Sequence, residues 1–119
     1  MVDKWKGDIM KLLSSHDEVF LLAILRLEDN AYGMNIRREV SKATGKNWSI
    51  GAIYDPLYRM EKRGLLESYL SDPTSERGGR SKRIFKVKKK GLDALLEHKE
   101  ARDRLWQGIK ITTLESLPR

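Results

Sequence analysis

The chain has 119 residues, with 24 Lys and Arg against 17 Asp and Glu, a formal net charge of +7 and no cysteine. That length buries one core, the missing thiols exclude disulfides, thiolate metal sites and cysteine nucleophiles, and the charge favours polyanionic partners without naming one. The longest apolar run, Val19 to Leu25, is seven residues, far short of the ~20 that cross a bilayer, and the charged start Met1 to Leu13 reads as neither signal peptide nor anchor, so a cytoplasmic protein with no membrane partner is expected.

Trp5, Ile9, Leu12 and Leu13 recur at helical spacing and predict a short amphipathic N-terminal helix, weakened by Gly7. Ser15 and Glu18 have capping-box spacing, and the apolar run behind them predicts a second helix at the buried centre. After the polar break Glu28-Asp29-Asn30, the spacing of Tyr32, Ile36, Val40 and Ala43 predicts a third helix capped at Gly45. Trp48, in the short link that follows, reads as a core or turn anchor. Ser49 is the expected N-cap of a fourth helix, in which Ile50, Ile53, Leu57 and Met60 share an inner face until Gly64. Leu65 to Leu70 and Arg83 to Val87 read as two strands of a hairpin around a Gly, Ser and Pro-containing connection. Leu92, Leu95, Leu96, Lys99, Asp103 and Trp106 then lie along one side of a long last helix that Gly108 ends.

Helix, helix, turn, helix and a basic hairpin is the order of a winged helix-turn-helix, in which the second helix of the pair enters the major groove. Projected at about 100° per residue, the Ser49 helix carries Gly51, Asp55, Tyr58 and Lys62 opposite its apolar arc, with Tyr54 and Arg59 flanking. Gly51 and Ala52 are small enough for close approach to a groove wall. Tyr54 and Tyr58 offer hydroxyl donors to phosphate, and Arg59 suits a guanine edge or a phosphate. Asp55 is the discordant residue, because facing DNA it repels phosphate unless it accepts from a cytosine amino group. Pro56 removes a backbone donor and predicts a kink or a tightened first turn. From Arg77 through Lys90 there are eight basic residues (Arg77, Arg80, Lys82, Arg83, Lys86, Lys88, Lys89 and Lys90) and no acid. Gly78 and Gly79 give the hairpin tip freedom to lay Arg77 and Arg80 on a backbone or in a minor groove. A solvated outer face and a solvated basic loop are the plain alternatives, and the adjacency of the two features favours DNA.

From Leu21 to about Leu96 the sequence resembles the PadR family of bacterial and archaeal regulators. The matching segments are Tyr32-Gly33, the run Ser49-Ile50-Gly51-Ala52-Ile53-Tyr54-Asp55-Pro56-Leu57 with Arg59, Glu61 to Leu66, and Arg77-Gly78-Gly79-Arg80-Ser81-Lys82-Arg83-Ile84-Phe85-Lys86-Val87 with Gly91. Within that serine-to-leucine run Pro56 resembles a family feature more than an accident. The resemblance implies a mainly α (α+β) fold: a winged helix-turn-helix with a two-stranded wing, plus N-terminal and long C-terminal dimerisation helices. Residues 1–87 would then hold the N-terminal helix and DNA-binding domain, and residues 88–119 the dimerisation helix and tail.

It also implies a transcriptional repressor, a homodimer on a palindromic operator of double-stranded DNA. Phosphate contacts would fall to Tyr32 and Tyr54 and wing contacts to Arg80 and Lys82. The candidate DNA-binding set is thus Tyr32, Ser49, Gly51, Ala52, Tyr54, Tyr58, Arg59, Arg77, Gly79, Arg80 and Lys82. Trp5, Ile9, Leu12, Leu92, Leu95, Leu96 and Trp106 form the candidate dimer interface, where Trp5 and Trp106 either pack or hold a small aromatic effector; packing is the simpler role. The chain departs from the family at Asn30-Ala31, where Gly-Pro is usual, and at Val87-Lys88, where Leu-Thr opens the last helix. The second departure leaves that helix without its usual cap.

An enzyme is disfavoured. His16 and His98 lie far apart, Gly78-Gly79 lacks the strand-to-helix setting of a phosphate loop, and no motif implies a metal or cofactor. The stronger rival is a winged-helix module that binds protein or RNA without sequence-specific DNA readout.

Overall fold

The computed structural model describes residues 13–72, 81–116 and 118. The predicted N-terminal helix, with Trp5, Ile9 and Leu12, and the hairpin tip, with Arg77, Gly79 and Arg80, lie outside the described residues. Within them the order is α1 (Ser15–Leu27), a 3-10 turn (Glu28–Asn30), α2 (Gly33–Thr44), α3 (Ile50–Lys62), β1 (Leu66–Leu70), β2 (Arg83–Val87), α4 (Lys89–Trp106) and the short α5 (Ile111–Glu115).

α1 starts one residue earlier than its sequence suggests. Ser14, in extended conformation, accepts a hydrogen bond from the Asp17 amide at 3.0 Å, so the cap is Ser14 and not Ser15. Glu18 is thereby freed to reach α4, where it meets His98 at 3.5 Å and Arg102 at 3.7 Å. Phe20, Leu21, Ala23 and Ile24 of α1 are buried, but Leu22 and Leu25 on its far side stay exposed, so the helix is central on one face only.

Ile36 and Val40 of α2 enter the same core, as do Ile53, Leu57 and Met60 of α3. Ala43 does not, because the buried row continues by fours to the half-buried Thr44. Gly45 closes α2 in the left-handed conformation, φ 72°, with its amide donating to the Ser41 carbonyl at 2.8 Å. The turn into α3 is then fixed by side chains. Trp48 Nε1 donates to Thr44 Oγ1 at 2.9 Å and Arg37 Nε donates to the Trp48 carbonyl at 2.6 Å. The Trp48 indole packs edge-on against Phe20 and His16, which makes it the expected turn anchor. Ser49 caps α3 by accepting from the Ala52 amide at 3.1 Å, while Ile50, predicted inward, is exposed. α3 stays helical through Pro56, which is buried within it.

β1 and β2 pair antiparallel, from Leu66 opposite Val87 to Leu70 opposite Arg83. The other edge of β2 is held to the segment before α2: the Phe85 amide donates to the Ala31 carbonyl at 2.8 Å, and Tyr32 bridges to Ile84. β2 is therefore bonded to the helix-turn-helix on one edge and to β1 on the other. α4 begins at Lys89, and its N-cap Lys88 makes no side-chain capping bond. Close packing replaces the cap. Lys88 donates its amide to the Leu65 carbonyl at 2.9 Å, and Gly91 sits so near that carbonyl that a Cβ would overlap its oxygen.

Candidate nucleic-acid interface

Gly33 opens α2, is buried, and leaves room for the Tyr54 phenol. A Cβ at Gly33 would overlap the Tyr54 hydroxyl and lie 2.5 Å from its Cζ. Tyr54 is thus clamped against the start of α2, half-buried, rather than extended into solvent. One turn on, the exposed Tyr58 stacks on it with centroids 5.8 Å apart and planes 21° apart, and Phe85 of β2 lies 6.2 Å from Tyr58. These three rings tie α3 to the wing strand. On the same side Lys82 Nζ lies 4.8 Å from the centroid of the half-buried Tyr32 ring, a cation–π contact. The N-terminus of α2, the outer side of α3 and the base of the wing are thereby held together through side chains.

Ser49 has its oxygen engaged as the α3 cap, yet its hydroxyl proton is still available to an outside acceptor. Gly51 is exposed, and a methyl group added to it would meet nothing within 4 Å; Ala52 is half-buried beside it. The first turn of α3 is therefore open to close approach, and the protein's own packing does not require a glycine at 51. Asp55, Tyr58, Arg59 and Lys62 are exposed, in agreement with the helical projection.

The basic strip is less uniform than its sequence suggests. Lys86 pairs with Asp29 at 3.3 Å, Lys89 with Asp93 at 3.1 Å, Lys90 donates to the Arg63 carbonyl at 2.9 Å, and Arg83 donates to Ser68 at 3.0 Å. Lys90 in particular serves the C-terminal end of α3, where a cation is favoured. Of its described members, Lys82 makes a cation–π contact with a candidate DNA-binding residue, Tyr32. Arg37, absent from the sequence-based set, acts on this site by fixing the α2–α3 turn; only its tertiary partner reveals that.

Along α4, Leu92, Leu96 and Trp106 are exposed, and Leu105, Ile109 and Ile111 extend the apolar surface beyond them. Leu95 departs from that stripe: it is buried in the chain's own core. The stripe also carries an ion pair, Lys99 with Asp103 at 2.6 Å, whose hydrogen bond and charge raise the Lys99 ammonium pKa above its ordinary value. Among the described residues no group of His, Asp or Glu could hold a metal ion, and no helix is long and apolar enough to cross a membrane.

This arrangement defines a winged helix-turn-helix. The family model for the PadR-like transcriptional regulators matches residues 21–97, and the chain belongs to that family of DNA-binding regulators of transcription. Among solved structures, it is similar to a PadR family transcription regulator from Clostridium difficile R20291, with 28% identity, TM-score 0.59, and coverage of 87% of this chain and 100% of that one. A PadR-like transcriptional regulator from Bacillus cereus matches at 25% identity and TM-score 0.60, over 90% and 99% of the two chains. A putative transcriptional regulator from Thermoplasma acidophilum shares the fold at 22% identity and TM-score 0.64, over 87% and 96%. No protein with a curated description matches the chain in sequence.

Proposed function

We propose that the chain is a cytoplasmic homodimeric repressor that reads a palindromic operator, one half-site per protomer. The observation that carries the reading is the convergence of Tyr32, Tyr54, Tyr58 and Lys82 where α2, α3 and the wing meet. On it, α3 enters the major groove with Gly51 and Ala52 foremost, Arg59 reads or brackets the site, and Ser49, Tyr32, Tyr54 and Tyr58 bond phosphates. Lys82, with Arg77, Gly79 and Arg80, follows the backbone beside it. Repression follows from occupancy, since a dimer seated on a promoter excludes other proteins from the same grooves.

The dimer reading is supported by the exposed apolar series Leu92, Leu96, Leu105 and Trp106, the kind of surface that marks a contact between chains. Leu95, being internal, has no part in it. The exposure of Trp106 also favours a second reading of this surface, in which a flat aromatic ligand binds beside Trp106 and releases the operator.

Selection of sites from a random duplex pool, followed by titration of the selected palindrome at several salt concentrations, tests the proposal. The expected result is a two-fold symmetric site bound by two protomers, at least ~10³ times tighter than random duplex. Salt-sensitive binding with no preference between the two contradicts it and leaves a module for RNA or protein.

A further inference from the structure

α1, α2 and α3 carry five carboxylates, Asp17, Glu18, Glu39, Asp55 and Glu61. Four are engaged: Asp17 by Arg63 at 3.2 Å, Glu18 by His98 and Arg102, Glu39 by Arg26 at 3.0 Å, and Glu61 by the Ser68 hydroxyl at 2.7 Å. The Asp55 carboxylate makes no hydrogen bond or ion pair with any described residue. Arg59 stands one turn further along the same helix, a spacing at which the chain closes ion pairs elsewhere, Lys89 with Asp93 and Lys99 with Asp103. With Asp55 no such pair forms. The free carboxylate is exposed at the middle of the stripe Gly51, Asp55, Tyr58 and Lys62, in the second turn of α3.

A lone acid costs binding wherever it faces phosphate, and in a chain of net charge +7 it lowers the attraction to DNA. It is useful only against a hydrogen-bond donor. In the major groove the donors are the amino groups of cytosine and adenine, while guanine N7 and O6, adenine N7 and thymine O4 are acceptors. An ionised carboxylate only accepts. Against cytosine it meets N4 alone; against adenine it meets N6 with the lone pair of N7 beside it; against guanine or thymine it meets acceptors. From this we propose that Asp55 is a specificity-determining residue, accepting from one cytosine N4 amino group in each half-site and rejecting guanine there by repulsion. The inference rests on the DNA-reading surface proposed above and adds the base that this residue selects.

Site selection with the wild-type chain, Asp55→Asn and Asp55→Ala tests it. In the wild type, one position of each half-site is fixed as cytosine, and replacing it with guanine weakens binding about tenfold, or about 1.4 kcal/mol. Asp55→Asn moves the preference there to adenine, because a carboxamide pairs with N6 and N7 together. Asp55→Ala selects no base at that position and keeps the rest of the site. A wild type that selects a sequence shared by both variants, with the variants binding every duplex tighter by one common factor, overturns the inference and makes Asp55 a repulsive charge only. A wild type that selects no sequence overturns the reading surface itself, and this inference with it.

Discussion

Replacing Gly33 with Ala places a methyl group where the Tyr54 hydroxyl sits, 2.5 Å from Cζ and 3.1 Å from Cε2. Ordinary carbon contacts need about 3.5 Å, so the phenol has to move by about 1 Å, and its stacking on Tyr58 moves with it. Overpacking of this size costs about 1–3 kcal/mol, while alanine in place of glycine returns up to about 1 kcal/mol of helix propensity. With the full propensity gain the net expectation is a loss of up to about 2 kcal/mol, roughly 4 °C of melting temperature per kcal/mol. In a Tyr54→Ala background the obstruction is gone, and Gly33→Ala becomes neutral or stabilising by up to about 1 kcal/mol. Urea denaturation of the four chains, at one fixed protein concentration, measures the coupling directly. If Gly33→Ala costs the same in both backgrounds, to within about 0.5 kcal/mol, Tyr54 is not clamped by α2 and the tyrosine cluster does not depend on Gly33.

Gly91→Ala drives a methyl into the Leu65 carbonyl and to 2.8 Å from Val87 Cγ1; because one obstacle is backbone, a loss of about 2–3 kcal/mol is expected by thermal denaturation, and a change below about 0.5 kcal/mol would deny the tight joint between wing and α4. Arg80→Ala weakens binding to all duplexes alike and lowers the slope of log affinity against log salt by about 1; an unchanged slope removes Arg80 from the phosphate contacts. Trp106→Ala shifts the monomer–dimer equilibrium toward monomer in sedimentation while leaving the far-ultraviolet spectrum intact, and a variant that stays fully dimeric at the lowest measurable concentration takes Trp106 out of the interface.

What could be read from the sequence was what depends on neighbours a few residues away. The bounds of β2, the cap at Ser49, the left-handed Gly45 and the polar outer face of α3 are local, and each stands where its residues put it. Differences arise where two local solutions compete. Ser14 and Ser15 each have an acid three residues on; Ser14 takes the cap, and Glu18 reaches His98 and Arg102 on α4 instead of folding back on Ser15. Ile50, at the edge of the apolar arc, came out exposed, and Leu95 turned inward from a stripe that its spacing shares with Leu92 and Leu96. The site's organisation is set over long range, by Gly33 against Tyr54, Tyr58 against Phe85 and Lys82 over Tyr32. No periodicity encodes such pairs. The basic strip shows the same limit from the other side, since a count of charges does not reveal that Lys86, Lys89 and Lys90 already serve Asp29, Asp93 and the Arg63 carbonyl.

Hydroxyl-radical footprinting of the selected operator tests the central claim most directly, because it shows where along the duplex the protein lies. Paired recognition helices predict two equivalent protected patches, related by a two-fold axis and centred one helical turn of about 10 base pairs apart, or a multiple of that. Removing the basic side chain at Lys82 should fade the outer edges of both patches together. Even protection along the whole duplex, or a single patch without a symmetry mate, would contradict a dimer that reads a palindrome through α3.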